Sequence, residues 1–261
     1  MFGSITYLLF SHLAVGGILT ISLVPDQASR GFFRFCASAC ALLLVVALSV
    51  GDRPSSVVSA CLLVTVVLLI AFVLLVITDR LRMGRPLLVL AAASGLVGLG
   101  AHGLVVVPKG WPAWVAYVSA AYEVSSAAFL GSVIFAMTLG HWYLVVPTLP
   151  IGALRTLTQL MIYSTAAKTL LLGVVLYLGA GSTVPEIADT VSGFSDLPGL
   201  FFWARTLFGL VGPIIVCYMT WETVKLNATQ SATGLLYVST ILVLIGETLS
   251  RFLYHTTNLP V

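Results

Sequence analysis

The chain has 261 residues, 59% of them hydrophobic and 8% charged, with a formal net charge of +3 and a mean hydropathy of +1.10. Water-soluble domains carry about 25% charged residues, so this balance excludes one. The small positive excess falls in loops and argues nothing about nucleic acid; the expected partner is the lipid bilayer.

Crossing a hydrocarbon core of roughly 30 Å takes about 20 apolar residues in a helix. Eight runs qualify: 4–25, 32–51, 56–78, 86–107, 112–139, 151–180, 198–221 and 229–256. Pro, Gly and charge punctuate the breaks, as at Pro25-Asp26, Gly51-Asp52-Arg53-Pro54, Asp79-Arg80-Leu81-Arg82 and Pro108-Lys109-Gly110. No run alternates as barrel strands do, which predicts an all-α, polytopic integral membrane protein of eight transmembrane helices.

The first run lacks a basic leader and a small-residue cleavage site, and reads as a retained helix. The loops after the first, third, fifth and seventh runs hold Arg30, Arg34, Arg80, Arg82, Arg85, Arg155 and Lys225, whereas the other side holds Arg53 and Lys109. Basic residues favour the cytoplasm, so both termini are expected outside, with the acidic 181–198 stretch that carries Glu186, Asp189 and Asp196. The expected setting is a bacterial inner membrane.

The whole of 1–261 reads as one helical domain. Leu23-Val24-Pro25 leading into Arg30 and Arg34 has an echo in Val145-Val146-Pro147 leading into Arg155, which fits a four-plus-four duplication with halves 1–110 and 111–261.

Cys36, Cys40, Cys61 and Cys217 are scattered over three runs without the clustering that zinc or iron–sulfur ligation uses, so no metal site is expected and the thiols read as packing groups. In the second run Cys36 and Cys40 stand one helical turn apart. At the edge of the fifth run, Gly140-His141-Trp142-Tyr143 reads as an interfacial aromatic belt, with His141 near Arg155 as a second head-group or proton-entry candidate.

Ionisable residues inside apolar runs cost free energy unless paired or hydrated, so each is a functional candidate. Glu123, Lys168, Arg205, Glu247 and Arg251 are of this kind, joined by His12 and His102. Threaded through the expected topology, all fall in the outer half. In the eighth run Glu247, Arg251 and His255 are spaced four apart and share one helix face, so Glu247 and Arg251 can neutralise each other. The convergence of the others at one depth predicts a hydrated, proton-capable cavity on the outer side.

Two segments resemble a known family. Phe10-Ser11-His12-Leu13-Ala14-Val15-Gly16-Gly17 resembles the first helix of the eight-helix membrane anchors of dimethyl-sulfoxide-reductase-type enzymes, which belong with the NrfD-like quinol-interacting subunits. Leu236-Tyr237-Val238-Ser239 and Gly246-Glu247-Thr248-Leu249-Ser250-Arg251-Phe252-Leu253-Tyr254 resemble their last helix. Where those anchors commonly carry a quinol-associated histidine after the second helix, this chain reads Ser49-Val50-Gly51-Asp52-Arg53-Pro54; only Glu247 and Arg251 transfer position by position.

The resemblance implies a membrane subunit of a multi-subunit respiratory or redox complex that exchanges electrons and protons with the quinone pool, menaquinone or ubiquinone, beside iron–sulfur or cytochrome subunits. Quinol oxidation releases two protons, which calls for acceptors near each hydroxyl and polar groups that orient the ring. His12, His102 and Glu123 are the expected head-group contacts, with Arg205, Glu247, Arg251 and His141 in supporting cofactor-binding positions. The alternatives are a haem b cytochrome using His12 and His102, or His255, as axial ligands; a proton-coupled transporter with helices broken at positions such as Pro213; and a structural membrane anchor.

Overall fold

A computed structural model of the chain describes residues 2–50, 55–146, 149, 151–194 and 199–261. Arg53, Pro147 and Asp196 lie outside the described residues. The described residues form α1 (Phe2–Ser22), α2 (Arg30–Val50), α3 (Ser56–Ile77), α4 (Leu81–Val105), α5 (Ala113–Val145), α6 (Gly152–Ala180), α7 (Pro185–Gly193), α8 (Leu200–Thr206), a π-helical turn (Leu207–Val211), α9 (Gly212–Lys225) and α10 (Thr229–Thr257). Among the described residues eight rods are long and apolar enough to cross a membrane: α1 to α6, the continuous Leu200–Lys225 rod, and α10.

The ends of these helices follow local chemistry. Ser55 caps α3 by accepting from the Val58 N–H, and Pro185 starts α7 where a helix needs no donor. Asp79, Asn227 and Asn258 take the left-handed backbone that stops α3, α9 and α10. Within the rods, hydroxyls return their protons to carbonyls a turn earlier, as Thr20 does to Gly16, which leaves little unpaired polarity on apolar helices.

The structure differs from the sequence expectation at four places. Helix α5 runs on through Gly140 and His141 to Val145, because a single glycine inside a helix costs only about 1 kcal/mol and no proline intervenes. Helix α4 begins at Leu81 and contains Pro86, so that proline does not mark its start. The 181–198 stretch holds the short helix α7, docked on α6 where Gly179 meets Val191 and Ile187. The seventh rod carries a π turn, in which the Gly212 N–H reaches back five residues to Leu207, while Pro213 withholds the next donor. That rod stays continuous and is not broken at Pro213.

Each half of the chain closes as a ring of four rods. Helix α1 packs on α2 and α4, and α3 packs on α2 and α4; α5 packs on α6 and α10, and α9 packs on α6 and α10. The rings meet mainly through α1 and α4 against α5. At the central crossing a Cβ on Gly16 would stand 1.7 Å from the Ala127 oxygen, and one on Gly131 2.0 Å from the Gly16 carbonyl carbon. Only glycine admits that approach, the usual device where helices pack without a hydrophobic force between them.

The two ends of the bundle differ in charge. At the basic end, Arg85 binds Asp26 at 2.6 Å and the carbonyls of Ser22 and Val24, Arg30 pairs with Asp79, Arg155 reaches Asn227 at 3.3 Å, and Trp142 donates to Ser29 at 3.1 Å. These contacts bring the α1–α2, α3–α4 and α9–α10 loops together with the α5–α6 edge. At the opposite end, Val115, Leu172, Ile187, Phe194, Leu253, Leu259 and Val261 form a separate apolar cluster, with Phe194 stacked on Phe202 at 4.3 Å.

Candidate functional site

Beneath that apolar cluster the structure gathers the ionisable residues of six rods. His12 comes from α1, His102 from α4, Glu123 from α5, Lys168 from α6, Arg205 from α8, and Glu247 and Arg251 from α10. His102 is 6% exposed and the others are 0–2%. The expected hydrated opening is therefore closed here, because α7, Leu259 and Val261 cover that end of the bundle with apolar surface.

Glycines set the positions of the charges. Gly16 lies one turn beyond His12 on the tight α1–α5 crossing. Gly103, next to His102, faces the backbone of Ser119 and Ala120, with a Cβ position 2.6 Å from Ala120 atoms. Gly246, next to Glu247, meets Gly209 of the π turn, where a Cβ would stand 2.1 Å from the Gly209 Cα. The π turn follows directly on Arg205. Each close approach thus delivers an ionisable side chain to α5 or to its neighbours.

Glu123 is the centre of one half of the network. His12 Nε2 contacts its Oε2, and the other ring nitrogen of His12 contacts the Leu8 carbonyl. Arg251 Nη1 donates to both Glu123 oxygens at 3.2 and 3.3 Å. His102 Nδ1 stands 3.7 Å from Oε1, outside hydrogen-bond reach, and has no hydrogen-bond partner among the described residues.

Tyr122 is the centre of the other half. Consecutive helix residues point about 100° apart, so Tyr122 turns away from the histidines to face α6, α8 and α10. Its hydroxyl accepts from Arg205 Nη2 at 2.7 Å, lies 2.7 Å from Ser250 Oγ, and donates to the Val261 main-chain oxygen at 2.9 Å. Lys168 Nζ sits 4.6 Å above its ring and Arg251 Cζ 5.8 Å from it. Glu247 pairs with Lys168 and accepts from Arg251 Nη2 at 3.4 Å, while Arg205 Nη1 has no partner among the described residues.

Two guanidiniums and one amine thus face two carboxylates in the buried interior. Each charge alone would cost several kcal/mol to bury, and the cluster persists because nearly every one has an opposite charge or a hydrogen bond in contact. Arg251 joins the halves, since its two terminal nitrogens serve different carboxylates.

The sequence pairing of Glu247 with Arg251 within α10 is present but secondary: Lys168 is the closer partner of Glu247, and Glu123 of Arg251. Of the candidates, His12, His102, Glu123, Arg205, Glu247 and Arg251 come together. His141 does not: it is exposed at the basic end, 3.1 Å from the Tyr237 hydroxyl. His255 is exposed as well. Tyr122 and Ser250 were not legible as participants, and the adjacency of Tyr122 to Glu123 was the available signal. Among the described residues no cluster of His, Cys, Asp or Glu is arranged to hold a metal ion, and the four cysteines are free.

Beside the network runs an apolar groove of about 520 Å³. Leu9 and Phe10 of α1, Phe201 of α8, and Thr248, Leu249 and Phe252 of α10 line it. It borders the same turns that carry His12 and Glu247. Comparison with protein-family models and with curated sequences finds no match to this chain.

Proposed function

We propose that this chain is the membrane subunit of a multi-subunit respiratory or redox complex, and that it exchanges electrons and protons with the quinone pool of a bacterial inner membrane. The observation that carries this reading is the convergence of His12, His102, Glu123, Lys168, Arg205, Glu247 and Arg251 in one buried network. Pure packing has no use for so many ionisable groups, whereas proton handling requires them. The family-like ends of the chain contribute the same two turns, around His12 and around Glu247–Arg251.

The residues fit a quinone. The His102 Nδ1, which has no hydrogen-bond partner among the described residues, stands beside a carboxylate as a polar atom of the kind a ring oxygen would engage. The neighbouring groove is apolar and wide enough for a ring and the start of an isoprenoid tail. A bound quinone supplies the two-electron, two-proton couple. His102 orients the head group, Glu123 accepts a proton released near it, His12 holds that carboxylate in place, and Arg251 links it to Glu247 and so to Lys168. Electrons leave through a partner's cluster or haem, and proton release is to the outer side, with both termini outside.

The haem b alternative gains nothing from this geometry, because both nitrogens of His12 are already engaged. The transporter alternative would be favoured by helices broken at positions such as Pro213, and that rod runs on through its π turn. Purification from native membranes in mild detergent tests the proposal. An iron–sulfur or cytochrome partner, together with extractable quinone, is expected; a lone chain without either would contradict it.

A further inference from the structure

The basic end contains a small polar pocket of about 230 Å³ that the quinone reading does not use. Arg30, Gly31 and Arg34 at the start of α2 line one side, and Val76, Ile77 and Asp79 at the end of α3 line the other. Arg30 and Arg34 are one turn apart and so share a helix face. Arg30 is paired with Asp79, at 61% and 67% exposure, whereas Arg34 has no partner among the described residues. Two guanidiniums against one carboxylate leave a net charge of +1 in the pocket.

We infer that this pocket binds the phosphate of an anionic phospholipid headgroup. A guanidinium offers paired donors matched to phosphate oxygens, and a phosphodiester carries the single negative charge that the pocket lacks. The position suits a lipid rather than a free ion. The pocket opens at the end of two rods whose outward faces are apolar: Phe35 and Leu42 on α2 and Ile70, Leu74 and Ile77 on α3 are all 49% or more exposed. Acyl chains lying on those faces place their phosphate at the level of Arg30 and Arg34. Basic pockets between helix ends on the positive side of a membrane protein are the usual anionic-lipid sites. Asp79 acts as an internal competitor, holding Arg30 until a phosphate replaces it.

A lipid ligand presupposes the membrane setting proposed above, but not the quinone chemistry. The test therefore reads lipid retention and leaves electron transfer aside. Full-length chain, delipidated in detergent, is titrated with phosphatidylglycerol and, separately, with phosphatidylethanolamine and inorganic phosphate, and retained ligand is read by native mass spectrometry. One phosphatidylglycerol per chain is expected. Arg34→Gln should weaken its retention roughly fivefold, and Asp79→Asn, which frees Arg30, should strengthen it. Unchanged retention in Arg34→Gln, weaker retention in Asp79→Asn, or equal retention of phosphatidylethanolamine would overturn the inference. Inorganic phosphate binding with the same response to both variants would also overturn it, since the site would then belong to a soluble anion.

Discussion

Arg251 Nη1 lies 3.2 Å from Glu123 Oε1, although 128 residues separate the two and they stand on different helices. This contact joins α10 to α5 at the level where α1 brings His12 to the same carboxylate. It also explains why α10 carries an arginine that a neighbouring Glu247 alone would not need.

Because Lys168 is the closer partner of Glu247, Glu247→Gln leaves a buried ammonium without its counter-ion. Breaking a buried pair from one side costs about 3–5 kcal/mol. Glu247→Gln is expected to lower the melting temperature and the folded yield in detergent, and Lys168→Met combined with Glu247→Leu to restore part of both. Equal damage in the single and double variants would separate the two residues.

Gly16 and Gly131 stand where the backbones of α1 and α5 nearly touch. Gly16→Val must push the helices apart, and overpacking of this kind costs about 1–3 kcal/mol or more. Gly173→Ala on α6 meets nothing within 4 Å and should be silent. Size-exclusion profiles of the two variants check the contrast: the first aggregates or expresses poorly, the second matches the parent.

Tyr122→Phe removes the hydroxyl that receives Arg205 and leaves both terminal nitrogens of that guanidinium unsatisfied. Losing a buried hydrogen bond to a charged group costs about 1.5–3 kcal/mol. Thermal melting should report a loss of that order, and a neutral result would mean that Arg205 finds another partner.

The basic and acidic ends should lie on opposite sides of the membrane. Cysteines introduced at Asp189 and Arg82, both exposed, should label with opposite accessibility in intact cells, position 189 from outside. Equal labelling from outside would reverse the expected orientation.

Much of this was legible in the chain itself. Apolar runs bounded by Pro, Gly and charge mark all eight rods, with the start of α4 and the end of α5 misplaced by more than a turn, because burying a backbone in lipid tolerates little else. The ionisable residues stood out for the same reason. What the sequence did not disclose was their pairing, since Lys168 and Glu247 are 79 residues apart and nothing in spacing relates α6 to α10. Tyr122 was invisible because a tyrosine in an apolar run is unremarkable until its hydroxyl is seen to meet Arg205. The π turn was equally hidden, although Gly209 and Gly212-Pro213 mark its place. The expected open cavity failed because α7 and Leu259 to Val261 cover the network, a tertiary effect with no local signal.

The most direct test of the central claim is the quinol-dependent activity of the His102→Ala complex beside its activity with a water-soluble dye that delivers electrons to the partner. The account predicts that the quinol rate falls by about 100-fold or more, the range of a lost acid–base group, while the dye rate stays at the parental value. A normal quinol rate in that variant would contradict the placement of the head group among His12, His102 and Glu123.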